Sequence, residues 1–134
     1  MAITSPTEIN ACLGSHSTIV LNCSFIKETG ERVNQITWTK KNETEDKYIT
    51  IIEFYQLKYV YIDPDMKKRS TRISFDDSFP SAILNIIDVQ CKDNGQYECT
   101  VEYINSNGIG TKISTKTSVY IQGKNVSYLK IFFI

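Results

Sequence analysis

Four cysteines, one histidine and two close aspartate pairs are the residues through which this chain could do covalent or metal chemistry. Cys12, Cys23, Cys91 and Cys99 show no Cys-x-x-Cys spacing, and His16 alone leaves a mixed zinc site short of ligands. Disulfide bonding is the chemistry that their even number favours. His16 lies in a Gly-Ser-His-Ser turn with no carboxylate or nucleophile spaced to work with it, so it reads as a surface side chain, and no nucleophile, base and acid can be assembled. Asp63 and Asp65, and Asp76 and Asp77, lack the spaced ligands of a calcium loop and read as solvated turns. The expectation is a chain that is not an enzyme, needs no cofactor and takes no small-molecule substrate.

Three Asn-x-Ser/Thr acceptors, at Asn22, Asn42 and Asn125, accompany the cysteines. Glycan acceptors and disulfides make sense together in the secretory pathway, which places the protein outside the cell, at its surface or secreted. Residues 1–8 have neither the basic start nor the apolar stretch of a signal peptide, so Met1 reads as the start of a mature or truncated chain. Residues 128–134 are apolar but far below the roughly 20 needed to span a membrane. Lys130 also interrupts them, so they read as the first turn of a severed anchor or as a tail. Basic and acidic residues balance at 15 each with no basic stripe, which sets nucleic acid aside as a partner.

The 134 residues fit one domain, read as 1–122, followed by a tail or linker at 123–134. Short β-rich runs separated by Gly, Asn, Asp and Pro, with no helical period, point to an all-β antiparallel sandwich. Along residues 18–25, Ile19, Leu21, Cys23 and Phe25 share one face, while Thr18, Val20, Asn22 and Ser24 share the other. Trp38 points inward with Ile36, and Thr37 and Thr39 point away. Residues 96–103 alternate in the same way, with Tyr97, Cys99, Val101 and Tyr103 together. Residues 48–61 are too continuously apolar for alternation to assign a face, and they read as two edge-region strands with a turn near Gln56.

Cys23, Trp38 fifteen positions later, and the run Asp93-Asn-Gly-Gln-Tyr-Glu-Cys99 together resemble the immunoglobulin variable-type (V-set) signature. The resemblance implies that Cys23 and Cys99 bridge the two sheets, that Trp38 packs on the bridge, and that Tyr97 turns its hydroxyl back to backbone as a tyrosine corner. Leu84, Ile86 and Val89 match the inward pattern of the preceding strand. Arg72 opens the strand on which that family carries an arginine paired with the aspartate, which implies an Arg72–Asp93 ion pair. In such a sandwich Cys12 and Cys91 lie at one end, and they are expected to form a second disulfide. Residues 3–8 and 62–67 look like the membrane-distal domains of the junctional adhesion group, which includes the coxsackievirus and adenovirus receptor. Cys91 also looks like invertebrate immune-type variable domains, including those of secreted fibrinogen-related lectins.

A direct turn at residues 105–108 would drive Lys112 and Lys116 into the core. A one-residue shift absorbed near Gly110 pairs Glu102 with Lys112, Thr100 with Ser114 and Glu98 with Lys116 on the outer face. That face then presents Thr37, Thr39, Glu53, Tyr55, Glu98, Thr100, Glu102, Lys112, Ser114 and Lys116, a polar surface of mixed charge suited to a protein partner. Related domains imply that the partner is often another immunoglobulin-type domain, met in adhesion or immune recognition. Tyr48, Tyr55, Tyr59 and Tyr61 suit either edge-strand packing or an interface. Two rivals remain, a secreted lectin-like or pathogen-binding domain and a structural spacer. A glycan-binding version calls for an exposed aromatic beside an arginine or a polar cleft.

Overall fold

The alternation read along residues 18–25 is realised as strand, since Ile19, Leu21 and Cys23 are fully buried while Val20 stays exposed. The computed structural model describes residues 1–14, 16–42 and 44–123. Its strands are β1 (Ala2–Thr4), β2 (Glu8–Cys12), β3 (Ile19–Ile26), β4 (Arg32–Asn42), β5 (Lys47–Tyr55), β6 (Lys58–Tyr61), β7 (Ser70–Ile73), β8 (Ser81–Ile86), β9 (Gly95–Ile104) and β10 (Gly110–Gln122). A short helix, α1 (Pro64–Arg69), separates β6 from β7.

The strands form two sheets, one of four in the order β1-β3-β8-β7 and one of six in the order β2-β10-β9-β4-β5-β6. The N-terminal segment changes sheets, because β1 pairs antiparallel with β3 whereas β2 runs parallel to β10. Pro6 lies between them, where a residue without an N–H does not interrupt a ladder. Its carbonyl accepts from the buried Thr117 hydroxyl at 2.5 Å, which ties the crossing to β10.

The core is what the two inner faces share. Trp38, Leu84, Ile86, Tyr97 and Val101 are all fully buried around the Cys23–Cys99 disulfide, which links β3 in one sheet to β9 in the other. Closing a loop across a sequence separation of 76 contributes about 4 kcal/mol on a chain-entropy account. Tyr97 donates its hydroxyl proton to the Asp93 carbonyl at 2.6 Å, the expected corner, and burial pushes its ionisation well above the ordinary tyrosine range.

Two expectations are corrected. The arginine opposite Asp93 is Arg69, not Arg72. Asp63 caps α1 through a 3.0 Å bond from the Asp65 N–H, and Pro64 takes the first helical position. The helix therefore ends at Arg69 and β7 opens at Ser70, so the inward arginine lies three residues earlier than in the expected pair. Arg72 is exposed on β7, where its guanidinium lies 4.3 Å from the centre of the Tyr59 ring and bonds the Tyr59 hydroxyl.

Cys12 and Cys91, expected to bond to each other, are separate exposed thiols. An antiparallel bridge joins Gly14 to Val89, yet beyond it each chain follows its own partner. Cys12 stays in register with Gln122 of β10, and Cys91 opens a 3-10 turn that ends at Asp93.

Candidate functional site

Residues paired across a sheet share a face, so the strand registers fix which side chains stand together. Three rows cross the outer face of the six-stranded sheet. The first runs Gln35, Glu102, Lys112, the second Glu53, Thr37, Thr100, Ser114, and the third Thr39, Glu98, Lys116. The one-residue shift inferred for β9 and β10 is thus the register found. Between these rows Ile36, Trp38, Cys99 and Val101 point into the core.

The face is cross-linked by its own polar groups. Lys112 Nζ lies 3.1 Å from Glu102 Oε1, and the Thr100 and Ser114 hydroxyls are 2.9 Å apart. Gln35 Nε2 donates to Glu53 Oε2 at 2.7 Å and to Thr37 Oγ1 at 3.0 Å, while the Thr39 hydroxyl donates to the Glu98 carbonyl at 3.3 Å. Tyr55 donates to Glu53 Oε2 at 3.3 Å, and partial desolvation, then the Glu53 charge, raises its pKa. Exposed pairs of this kind contribute only about 0–1 kcal/mol to folding, so the fold does not depend on them.

Alternation along residues 96–103 already set Gln96 on this face with Glu98, but sequence reasoning missed Gln35 and Tyr48. Gln35 is two residues before Thr37, so alternation alone could have found it. Tyr48 was hidden by a β-bulge. The β4 and β5 registers pair Trp38 with Ile52 but Thr39 with Thr50, so that Ile51 is the extra residue and both Ile51 and Ile52 are buried. The bulge restores Thr50 and Tyr48 to the outer face, where the Tyr48 hydroxyl donates to Gln96 Oε1 at 2.7 Å and the Lys116 ammonium lies 5.8 Å from its ring centre.

The tyrosines divide. Tyr48 and Tyr55 belong to the outer face, whereas Tyr61 shares a 2.7 Å hydrogen bond with Ser70 and Tyr59 stacks with Arg72 at the β6 edge. Asn22 lies on the other sheet, paired with Ile83, and Asn42 ends β4 at the hairpin into β5. Asn125 lies outside the described residues. Among those described, no group of His, Cys, Asp and Glu side chains is placed to hold a metal ion, and no helix is long and apolar enough to cross a membrane. Asp63 caps α1, and Asp76 Oδ1 accepts from the Ser78 and Phe79 N–H groups at 2.8 and 2.7 Å.

Comparison with known proteins agrees with the fold. The model of the immunoglobulin V-set domain matches residues 4–122. Protein turtle of Drosophila melanogaster is 31% identical over 98 residues, which are 72% of this chain and 6% of that protein. The cell surface A33 antigen of Mus musculus is 23% identical over 103 residues, 77% of this chain and 32% of that one. The chain therefore spans well under half of the curated relatives it matches. A solved structure of murine CRIg superposes with a TM-score of 0.77 at 13% identity, covering 90% of this chain and 97% of that one, a likeness of fold.

Proposed function

The chain belongs to the immunoglobulin V-set family, and from that premise we propose that it is an extracellular recognition module that binds a protein partner through the outer face of β4, β5, β9 and β10. Recognition in the general sense is supported by the V-set relatives, one of which is named a cell-surface antigen. The observation that carries the finer reading is the set of three polar rows. Charged and hydroxyl groups of fixed register cover a continuous sheet face on which folding depends little, the arrangement that sets encounter rate and specificity in a protein contact. Asn22 occupies the opposite sheet, so a glycan there leaves the face open.

The test reverses charge. Glu98→Lys and Glu102→Lys should weaken binding of the multimerised domain to a panel of cells, or its self-association, and alter the salt dependence, because opposite-sign attraction becomes repulsion. Thr18→Lys, exposed just before β3, should leave binding unchanged. Silent glutamate reversals combined with loss of binding in Thr18→Lys would move the surface to the other sheet.

One observation favours a second reading. Tyr59 is 40% exposed with the Arg72 guanidinium over its ring, the aromatic and arginine pair expected of a glycan-binding domain, and the arginine charge favours acidic sugars. Binding to immobilised acidic glycans that disappears in Arg72→Ala but survives Glu102→Lys would establish it in place of the first.

A further inference from the structure

We infer that Asn42 carries an N-linked glycan whose first sugars lie in an apolar groove beneath the β4–β5 hairpin, an inference that rests on the extracellular reading. The groove has a volume of about 470 Å³ and runs between the hairpin and the start of α1. That size is within the range of pockets that hold small organic ligands. One wall is Ile49 and Ile51, and the other is Ile62, Pro64 and Met66. Ile49 and Ile62 are 50% and 49% exposed, a pair of large apolar side chains that water contacts unless something covers them.

The acceptor stands on the groove's own face. Lys40 pairs with Ile49 and Asn42 with Lys47 across the hairpin, and Lys40 and Asn42 are two residues apart on β4. Asn42 therefore points to the same side as Ile49, away from Thr39 and Tyr48. Asn42 Oδ1 accepts from the Thr44 N–H at 3.0 Å and the Glu45 N–H at 3.4 Å, which fixes the carboxamide with its nitrogen as the atom left to be joined. Attachment forms a bond from Asn42 Nδ2 to the anomeric carbon of an N-acetylhexosamine. The bond from that carbon to the pyrophosphate of a lipid-linked oligosaccharide donor breaks, and the amide proton leaves with the pyrophosphate. Sugar C–H faces then cover Ile49 and Ile62, while hydroxyls meet Lys40 and Asp63 at the rim. The glycan shields apolar surface on the inner side of the hairpin and leaves the outer face clear.

The full chain, secreted from glycosylating cells behind a leader, should yield a glycopeptide containing Asn42 that vanishes in both Asn42→Gln and Thr44→Ala. Enzymatic removal of the sugar from the folded protein should raise fluorescence of the dye ANS at least about twofold, as expected when apolar surface is uncovered. Ile49→Ser with Ile62→Ser should abolish that rise. A secreted, folded chain glycosylated at Asn22 but bare at Asn42 overturns the inference while leaving the extracellular reading intact. An occupied Asn42 whose deglycosylation leaves dye fluorescence unchanged overturns the groove assignment. A chain retained in the cell, unfolded and with every acceptor bare, overturns both readings.

Discussion

The Arg69 guanidinium forks onto the Asp93 carboxylate, Nη2 to Oδ1 at 2.8 Å and Nη1 to Oδ2 at 2.9 Å, with both side chains buried. Because Asp93 also accepts the Gln90 N–H at 2.8 Å and lends its carbonyl to Tyr97, the pair organises the turn that launches β9. Arg69→Ala leaves a buried carboxylate without its charge partner and should cost about 3–5 kcal/mol. Arg72→Ala, losing an exposed stacking contact, should cost no more than about 1 kcal/mol. Urea unfolding of the two variants checks the order, and equal shifts would reject the pair.

Asp65 gives the same cluster a pH dependence. Hydrogen bonds from Arg69, then from Lys92, lower its pKa to about 2. A depressed carboxylate pKa stabilises the fold above the ordinary value near about 4, and that stability is lost as pH falls through about 2. Asp65→Asn should flatten the fall of the urea midpoint across that window and leave the slope above about pH 5 unchanged. An unaltered acid slope would remove Asp65 from the account.

Leu57 sits at the β5–β6 turn with φ of 63° and 72% of its surface exposed. The left-handed conformation strains a leucine, and little burial is lost by removing the side chain. Leu57→Gly should therefore raise stability by about 1 kcal/mol, read as an upward shift of the thermal midpoint. A fall in the midpoint would mean that the exposed leucine packs in some other way.

Alternation exposed much of this molecule because most strands bury one face only. Cys23, Trp38 and Cys99 declare their direction by their neighbours, and the Glu102–Lys112 register followed from the cost of burying lysines. Alternation failed at Ile51 and Ile52, where a bulge buries two successive residues and hides Tyr48 from any strict two-residue period. The family resemblance, in turn, misplaced the arginine: a six-residue helix shifts the partner of Asp93 from Arg72 to Arg69, three positions earlier, and a match to a strand pattern carries no information about that insertion. The exposed state of Cys12 and Cys91 depends on where two chain segments part after a single bridge, a tertiary detail without a local signal.

The outer face of β4 and β9 is the central claim, and one substitution can block it without disturbing charge. Thr37 stands in the middle row, and Thr37→Asn turns the run through Trp38 and Thr39 into a glycan acceptor at the centre of the face. The measurement is binding of the multimerised domain to the cells that take up the unaltered one, made with a Thr37→Asn product shown by mass to be glycosylated and by near-ultraviolet circular dichroism to be folded. The account predicts that binding is lost, and that it returns when the added sugar is removed enzymatically. Full binding by the folded, glycosylated variant would contradict it and place the partner elsewhere on the sandwich.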